Sequence, residues 1–139
     1  MQGTLETLNK LKNKGLKLAI ISGSLNIALE KVLPDHSYYF SHIYINHLIF
    51  DGVEGENLAG INSTAFDFEN KAEALKQIAR KENISLDKCV FIGDHDNDIQ
   101  AAEIAGLSIA FNCKSERLMQ VSDVVIEKKD LREVLRHIL

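Results

Sequence analysis

The chain has 139 residues, of which 45% are hydrophobic and 26% are charged, a composition typical of a single globular domain. Its 16 basic and 20 acidic residues give a net charge of -4, which excludes the strongly basic surface that nucleic-acid binding requires. The apolar runs are short, so we expect neither a membrane span nor a signal peptide. A domain of this length, residues 1–139, can form a hydrophobic core without disulfides or a structural metal.

The two cysteines, Cys89 and Cys113, have no cysteine or histidine nearby at the spacing of a metal site. Two thiols also cannot form a framework of several disulfides. We therefore expect both to be small, buried hydrophobic residues in a protein of the reducing cytoplasm.

The first half of the chain alternates helical and strand patterns. Leu5, Leu8 and Leu11 recur at helical spacing behind a Thr4 cap, and Gly15 stands where a left-handed residue would end the helix. The elements predicted next are a strand at 16–21, a short helix at 27–32 that ends before Pro34, a strand at 42–46, and a glycine-rich hairpin or flap at 47–67.

The second half continues this alternation. Asn70 and Glu73 resemble a capping box, and a helix with one apolar face extends from them to Asn83. The elements predicted after it are a strand at 89–92, a helix at 98–105 capped by Gly106, strands at 107–111 and 124–126, and a helix at 131–138. Alternating helices and strands predict an α/β fold with a mostly parallel sheet.

The densest chemistry lies in GDHDND, residues 93–98, between the apolar run CVFI and a predicted helix. Open parallel sheets bind ligands at the carboxyl ends of their strands, which is where this segment falls. Asp94, Asp96 and Asp98 repel one another unless a cation neutralises them, and Mg²⁺ prefers such oxygen ligands. The alternative is a solvated turn that caps the following helix.

The same three aspartates also occupy the first, third and fifth positions of a calcium-binding loop. The sixth position of such a loop should be glycine and is Ile99, and the twelfth should be glutamate and is Ala105. A strand rather than a helix is predicted before the segment. The sequence therefore argues against a calcium loop.

Two further patterns are compatible with anion binding. The strand pattern AII is followed by Ser22, Gly23 and Ser24, where a hydroxyl and backbone N–H groups can face an anion. Lys71 stands in the first turn of a predicted helix, where a positive charge opposes the helix dipole unless an anion lies nearby. Taken singly, a serine helix cap and a solvated lysine are the simpler interpretations.

In this order, the three motifs resemble the haloacid dehalogenase-like (HAD) superfamily of phosphotransferases, in its phosphoserine phosphatase-like branch. AIISGS corresponds to the serine or threonine motif, NKAEAL to the lysine motif, and VFIGDHDND to the acidic motif. Lys71 follows Ser22 by 49 positions, and Asp94 follows Lys71 by 23, spacings that suit this branch. The resemblance covers nearly the whole chain and implies a three-layer, Rossmann-like fold with helices on both faces of the sheet.

The resemblance also implies an activity, that of a Mg²⁺-dependent phosphatase that acts on a small phosphorylated metabolite. Ser22 and the Gly23 N–H would bind phosphoryl oxygens, and Asn97 would contact the substrate phosphate. Lys71 would neutralise the phosphate and the nucleophile. These roles suit phosphoryl transfer, which depends on positioning and on neutralising charge.

For the metal, the resemblance implies that Asp94 is a Mg²⁺ ligand. Asp98 would support the metal shell or Lys71, so that both aspartates are expected at the metal. Lys71, Asp94 and Asp98 would together form the catalytic set.

The nucleophile motif of the superfamily, DxDx(T/V), is not found at the expected place. In this branch of the superfamily, the nucleophile motif lies before the serine motif and is separated from it by a whole cap domain. In this chain, residues 1–14 contain no aspartate. Asp51 in LIFDGVEG follows the serine motif instead, and Val53 stands where the second aspartate belongs. We therefore expect a carboxyl-terminal portion that lacks the first strand and the cap, with little activity by itself.

Two other interpretations remain open. The chain could be a non-catalytic HAD-like domain that serves ligand binding or protein association. A receiver-type signalling domain is more distant, because it too needs an acceptor aspartate after an early strand.

The expected topology sets the position of the site. Right-handed crossovers predict that strands 16–21, 89–92 and 107–111 lie parallel in one sheet, with Ser22 and Asp94 at the same edge. By the resemblance, the first strand of the superfamily lies between 16–21 and 89–92. Without it these strands either pair directly or bind another chain, as a homo-oligomer or with a segment supplied in trans, and we favour association.

Overall fold

The computed structural model describes residues 1–55, 57–63 and 70–139. Its helices are α1 (Thr4–Asn13), α2 (Asn26–Val32), α3 (His36–Tyr39), α4 (Lys71–Glu82), α5 (Ile99–Ile104), α6 (Glu116–Val121) and α7 (Leu135–Ile138). Its strands are β1 (Leu18–Leu25), β2 (Phe40–Asp51), β3 (Asn57–Asn62), β4 (Val90–Gly93), β5 (Leu107–Phe111) and β6 (Val124–Ile126). Short 3-10 turns occupy Leu86–Lys88, Asp96–Asp98 and Leu131–Val134. The predicted α/β fold is confirmed.

Strands β4, β5 and β6 form a parallel sheet that is packed on both faces. Successive β5 side chains point to opposite faces, as in any strand. Ala110 packs with residues of α4, α5 and α6, whereas Ile109 and Phe111 pack with Val134 near the carboxyl end of the chain. The near-continuous apolar pattern of β5 fits this two-sided burial, and the helices cover both faces as expected.

Strands β1, β2 and β3 form a second sheet of mixed direction. β1 is parallel to β2, and the far half of β2 pairs with β3 as an antiparallel hairpin. This hairpin is why β2 continues to Asp51, well beyond the predicted strand at 42–46. The hairpin falls within the segment 47–67, for which the sequence predicts a hairpin or flap, and residues 56 and 64–67 of that segment lie outside the described residues.

The prediction of one sheet that contains β1, β4 and β5 is wrong. Among the described residues, β1 is hydrogen-bonded to β2 and β4 is hydrogen-bonded to β5, and no ladder joins β1 to β4. The two sheets are linked by side chains instead, since Ile21 packs against the core that contains Leu75 and Phe91. Within the described ranges, the edges of β1 and β4 that face away from their partners therefore carry no strand.

The bounds of β1 differ from the predicted ones, and two observed helices were not predicted. β1 begins two residues later than predicted and continues through Ser22 to Leu25, because Leu25 still pairs with Asn46 of β2. The helices that the sequence analysis did not predict are α3, between α2 and β2, and α6, after β5. Gly15 (φ 79°) and Asn83 (φ 54°) adopt the left-handed conformation where α1 and α4 were predicted to end.

Two predicted helix caps are wrong. Thr4 is the first residue of α1 rather than its cap, and its hydroxyl donates a hydrogen bond to the Met1 carbonyl. Gly106 does not adopt the left-handed conformation after α5. Its N–H donates to the Leu86 carbonyl at 2.8 Å, and a Cβ there would lie 1.9 Å from the Asp87 carbonyl oxygen. Glycine is needed at this position for a close approach of two backbone segments.

Both cysteines are free thiols, and Cys89 is buried as predicted, whereas Cys113 is partly exposed, so the prediction of burial is wrong for Cys113. Burial raises the pKa of the Cys89 thiol, which keeps it protonated and unreactive at neutral pH. Across the part of the chain that the structure describes, no helix is both long and apolar enough to cross a membrane.

Candidate active site

A cavity of about 680 Å³, called here the site cavity, lies where β1 and β4 end. β1 contributes Ser22, Gly23 and Ser24, and α4 contributes Lys71. The other lining residues are Asp94, His95, Asp96, Asn97 and Gln100. Ser22 and Asp94 therefore face one cavity, which confirms the prediction that they share an edge although their strands belong to different sheets.

The best-defined interaction of the site is an ion pair between Lys71 and Asp98. Lys71 Nζ lies 2.7 Å from Asp98 Oδ1, and both residues are buried, at 9% and 2% exposure. A buried ammonium group needs such a partner, because desolvation of an unpaired charge is costly. Asp98 thus holds the lysine amine at the wall of the site cavity.

Asp98 also organises the acidic loop, residues 94–98. Its Oδ2 accepts hydrogen bonds from the N–H groups of Asp94 at 2.8 Å and His95 at 3.2 Å. Gly93 allows the aspartate to come this close, because a Cβ at that position would lie 2.6 Å from Asp98 Cβ. Both Asp98 oxygens already have protein donors. Its predicted role at the metal stays a prediction, whereas its contact with Lys71 is observed.

Ser22 and Gly23 lie in the last part of β1, not in a turn beyond a strand as the sequence suggested. The pairing with β2 is irregular between Ile21 and Leu25, and Ser22 Oγ accepts a hydrogen bond from Ser24 N–H at 3.1 Å. This local bend keeps Ser22 and Gly23 at the cavity wall. The Ser22 hydroxyl proton is left for an outside acceptor such as an anion oxygen.

A buried residue of β2 supports this bend. Asn46, at 6% exposure, donates from Nδ2 to the Gly23 carbonyl at 2.9 Å. The sequence analysis did not single out Asn46. The signal was available, because a polar residue inside the apolar strand HIYIN needs a hydrogen-bonding partner when it is buried.

The charges around the cavity favour a cation. Asp94 and Asp96 are exposed carboxylates that line the cavity, and the one lysine of the lining is already paired with Asp98. Two nearby carboxylates attract a cation more strongly in a partly enclosed cavity than in open water. Oxygen donors of this kind fit Mg²⁺, which retains several waters. Within residues 1–55, 57–63 and 70–139, no group of three or more histidine, cysteine or acidic side chains is poised around a metal position.

Three lining residues, Ser24, His95 and Gln100, were not predicted as site residues. Ser24 and His95 lie inside the motifs AIISGS and GDHDND and Gln100 lies two residues beyond the second, but no role was predicted for any of them. Asn97 lines the cavity as its predicted contact with phosphate requires. Asp51, which the sequence analysis rejected as a nucleophile, lies at the end of β2 and is absent from the cavity lining.

The site and the fold match one known family. Residues 1–103 match the model of the HAD family, described as haloacid dehalogenase-like hydrolases. This chain belongs to that family.

Within the family, the chain is similar to phosphoserine phosphatases. It is 36% identical over 137 residues to the phosphoserine phosphatase of Methanocaldococcus jannaschii, a match that covers 99% of this chain and 63% of that protein. It is 35% identical over 131 residues to the phosphoserine phosphatase of Archaeoglobus fulgidus, which covers 94% of this chain and 36% of that protein. The chain thus spans less than two thirds of the length of these relatives.

Solved structures show the same similarity. A phosphoserine phosphatase solved as a phospho-aspartyl intermediate analogue superposes with a TM-score of 0.83 at 36% identity, over 99% of this chain and 64% of that one. A 3-deoxy-D-manno-octulosonate 8-phosphate phosphatase from Moraxella catarrhalis, in complex with magnesium and phosphate ions, has a TM-score of 0.68 at 27% identity, over 95% of this chain and 65% of that one.

Proposed function

We propose that this chain carries the phosphate-binding and Mg²⁺-binding part of a phosphomonoester hydrolase. The observation that supports this most is the common cavity of Ser22, Lys71 and Asp94, which lie far apart in the sequence and on separate elements. A hydroxyl, an ammonium and a carboxylate at one cavity are the groups that bind a phosphate together with its cation. The proposal extends to a small phosphorylated metabolite as substrate and to a cytoplasmic location.

The phosphate would bind at the wall formed by β1 and α4. The Ser22 hydroxyl and the Gly23 N–H would donate to two phosphoryl oxygens, and Asn97 would donate from its amide on the opposite side. Lys71 would reduce the charge on the oxygens while Asp98 keeps its amine in place. These donors are held before the substrate arrives, so little reorganisation accompanies charge development.

The metal would bind at Asp94, with Asp96 and Asp98 nearby. When bound, Mg²⁺ supplies positive charge that stabilises the phosphoryl oxygens. Asp94 is exposed at the cavity, and its N–H is fixed by Asp98. Since few protein oxygens are available, we expect weak affinity with most of the metal ligands being water.

Catalysis also requires a nucleophile, and a solved relative was captured as a phospho-aspartyl intermediate analogue. The aspartates that line the cavity here, Asp94 and Asp96, belong to the acidic loop. We propose that the attacking aspartate comes from a segment outside this chain, either in a longer polypeptide or from another molecule. It would enter between the facing edges of β1 and β4.

Titration calorimetry with Mg²⁺ tests the metal site. The wild type should give a saturable heat, and Asp94→Asn should weaken the affinity about tenfold or more, because a charged ligand is lost. Asp123→Asn is the matched control, since Asp123 accepts hydrogen bonds from Ser108 and is not a cavity residue. Equal heats for the wild type and Asp94→Asn would contradict the proposal.

Phosphate binding and hydrolysis need separate measurements. We expect inorganic phosphate to bind in the presence of Mg²⁺ and to bind much less to Ser22→Ala. The chain alone should hydrolyse phosphoserine very slowly, because the cavity lining described here has carboxylates only from the acidic loop and the proposed nucleophile lies outside this chain. Rapid turnover that survives Asp94→Asn would refute the assignment of this cavity.

A second candidate is a non-catalytic domain of the same family that binds a phosphorylated ligand. Among the described residues that line the cavity, every carboxylate belongs to the acidic loop, and this favours the second candidate. A purified longer polypeptide that binds phosphoserine without hydrolysing it would support this candidate over the hydrolase.

A further inference from the structure

The acidic loop is held from a second side by the segment that follows β5. Ser115, at 7% exposure, donates its hydroxyl proton to Asp96 Oδ1. The same Ser115 oxygen accepts a hydrogen bond from Leu118 N–H at 3.1 Å and so caps the first turn of α6. One buried hydroxyl therefore ties a residue of the site cavity to a helix outside it.

A backbone contact strengthens this connection. Lys114 N–H donates to the Asp94 carbonyl at 3.2 Å, so the segment after β5 contacts the acidic loop at two positions. The segment itself is compact, because Ser115 N–H donates to Cys113 Sγ at 3.3 Å. The Asp94 backbone is therefore held by Asp98 through its N–H and by Lys114 through its carbonyl, while Ser115 holds Asp96.

The hydrogen bond from Ser115 to Asp96 also reduces the repulsion between two carboxylates of the site cavity. Asp94 and Asp96 are both exposed at the cavity, and their carboxylates repel each other. A hydroxyl that donates to Asp96 Oδ1 disperses part of its charge and fixes the direction in which the side chain points. Without that bond, rotation of Asp96 and movement of the loop backbone would both change the position of Asp94.

We propose that Asp96 and Ser115 are positioning residues that hold the acidic loop in the shape in which Asp94 binds its cation. This inference rests on the proposed function, because it concerns the same cation site. The charge of Asp96 also attracts the cation, and the positioning role concerns its hydrogen bond with Ser115, which is a separate effect. Groups that orient metal ligands in this way commonly change metal affinity by about tenfold or more when removed.

The test compares two replacements of Asp96. Asp96→Asn keeps an oxygen that can accept from Ser115, whereas Asp96→Ala removes it. In Mg²⁺ calorimetry at about 1 M KCl, where the screening length is about 3 Å, Asp96→Asn should stay close to the wild type. Asp96→Ala and Ser115→Ala should each weaken binding about tenfold. Equal losses for Asp96→Asn and Asp96→Ala would overturn the positioning role, because charge would then be what matters.

The matched control is a similar pair elsewhere in the fold. Ser108 Oγ donates to Asp123 Oδ2 at 2.8 Å, between β5 and the residue before β6, away from the cavity. Asp123→Ala should lower thermal stability to a degree comparable with Asp96→Ala and leave Mg²⁺ affinity unchanged. A loss of Mg²⁺ affinity in Asp123→Ala as large as that in Asp96→Ala would count against a specific role for Asp96.

Hydrogen exchange gives a readout that does not depend on the metal. The backbone N–H groups of residues 94–98 should exchange faster in Asp96→Ala and Ser115→Ala than in the wild type and in Asp123→Ala. Unchanged exchange in both variants would overturn the inference. A third outcome separates the two proposals. If the wild type does not bind Mg²⁺ but exchange is faster in these two variants, the proposed function is contradicted, and Asp96 and Ser115 are confirmed to hold the loop.

Discussion

Lys71 and Asp98 carry opposite charges in the most buried part of the site, so replacing either residue leaves the other uncompensated. We expect Lys71→Met to destabilise the fold by about 3 to 5 kcal/mol, the usual cost of breaking a buried ion pair from one side. Phosphate affinity should fall as well. Chemical denaturation with the fluorescence of the three tyrosines as signal measures the first effect.

The double variant Lys71→Met with Asp98→Asn serves as the control for this prediction. Because the two residues are in contact, their effects should not add, and the double variant should be less destabilised than the sum of the single ones. Additive losses would show that the 2.7 Å contact contributes nothing specific.

At the same scale, Asp130 makes the stability of the protein depend on pH. The Arg132 guanidinium hydrogen bond lowers the pKa of Asp130 from its ordinary value to about 2. A carboxylate with a lowered pKa stabilises the fold above its unfolded pKa, and this contribution is lost as pH falls toward the folded value. We therefore expect Asp130→Asn to be less stable than the wild type at pH 7, with the difference disappearing between about pH 4 and pH 2.

Thermal unfolding of both proteins at several pH values checks this expectation. Arg132 also contacts Glu6 of α1, so the Asp130 cluster joins the amino-terminal helix to the carboxyl-terminal region. A stability difference that stays constant down to pH 2 would contradict the assigned cause.

At the scale of elements, the start of β5 depends on a close backbone approach. Gly106→Ala would place a Cβ 1.9 Å from the Asp87 carbonyl oxygen, and backbone cannot move aside as a flexible side chain can. We expect a destabilisation of about 3 kcal/mol or more, at the upper end of overpacking. Gly60→Ala, with no atom within 4 Å of the added Cβ, is the matched control and should be close to neutral. The midpoints of urea unfolding distinguish the two, and equal shifts would refute this account.

At the scale of the whole molecule, a mixed sheet and a parallel sheet both contribute to the site cavity, and no ladder between described strands joins them. The unpaired edges of β1 and β4 expose backbone N–H and carbonyl groups, which favour pairing with another chain. Direct pairing of the two strands, one of the two outcomes expected from the sequence, is not what the structure shows. We therefore propose association, through a second copy or a segment supplied in trans.

Sedimentation over a wide concentration range tests this proposal. We expect a sedimentation coefficient and a melting temperature that both rise with protein concentration, because association stabilises the folded state by mass action. A strictly monomeric protein whose melting does not depend on concentration would contradict association between copies. A segment supplied in trans by a longer polypeptide of the family would then remain as the partner for the unpaired edges of β1 and β4.

The sequence by itself determined where the short strands lie and indicated that three motifs belong to one site. Short, nearly continuous apolar runs predicted the strands around Ile21, Ile92 and Ile109, because such a run is visible in the local sequence alone. The parallel order of such strands places their carboxyl ends at one side, so Ser22 and Asp94 could be placed at one edge before any coordinates. The resemblance to the HAD superfamily added Lys71 as the third group.

Only the tertiary structure decided which groups hold that site together. The pairing of Lys71 with Asp98, the support of Gly23 by Asn46 and the bond between Ser115 and Asp96 join residues 19 to 27 positions apart. No local pattern encodes such contacts, because they depend on how separate elements pack. The division into two sheets also could not be predicted from local patterns. Whether β1 and β4 form backbone hydrogen bonds depends on how far apart the packed elements hold them, and not on the residues of either strand.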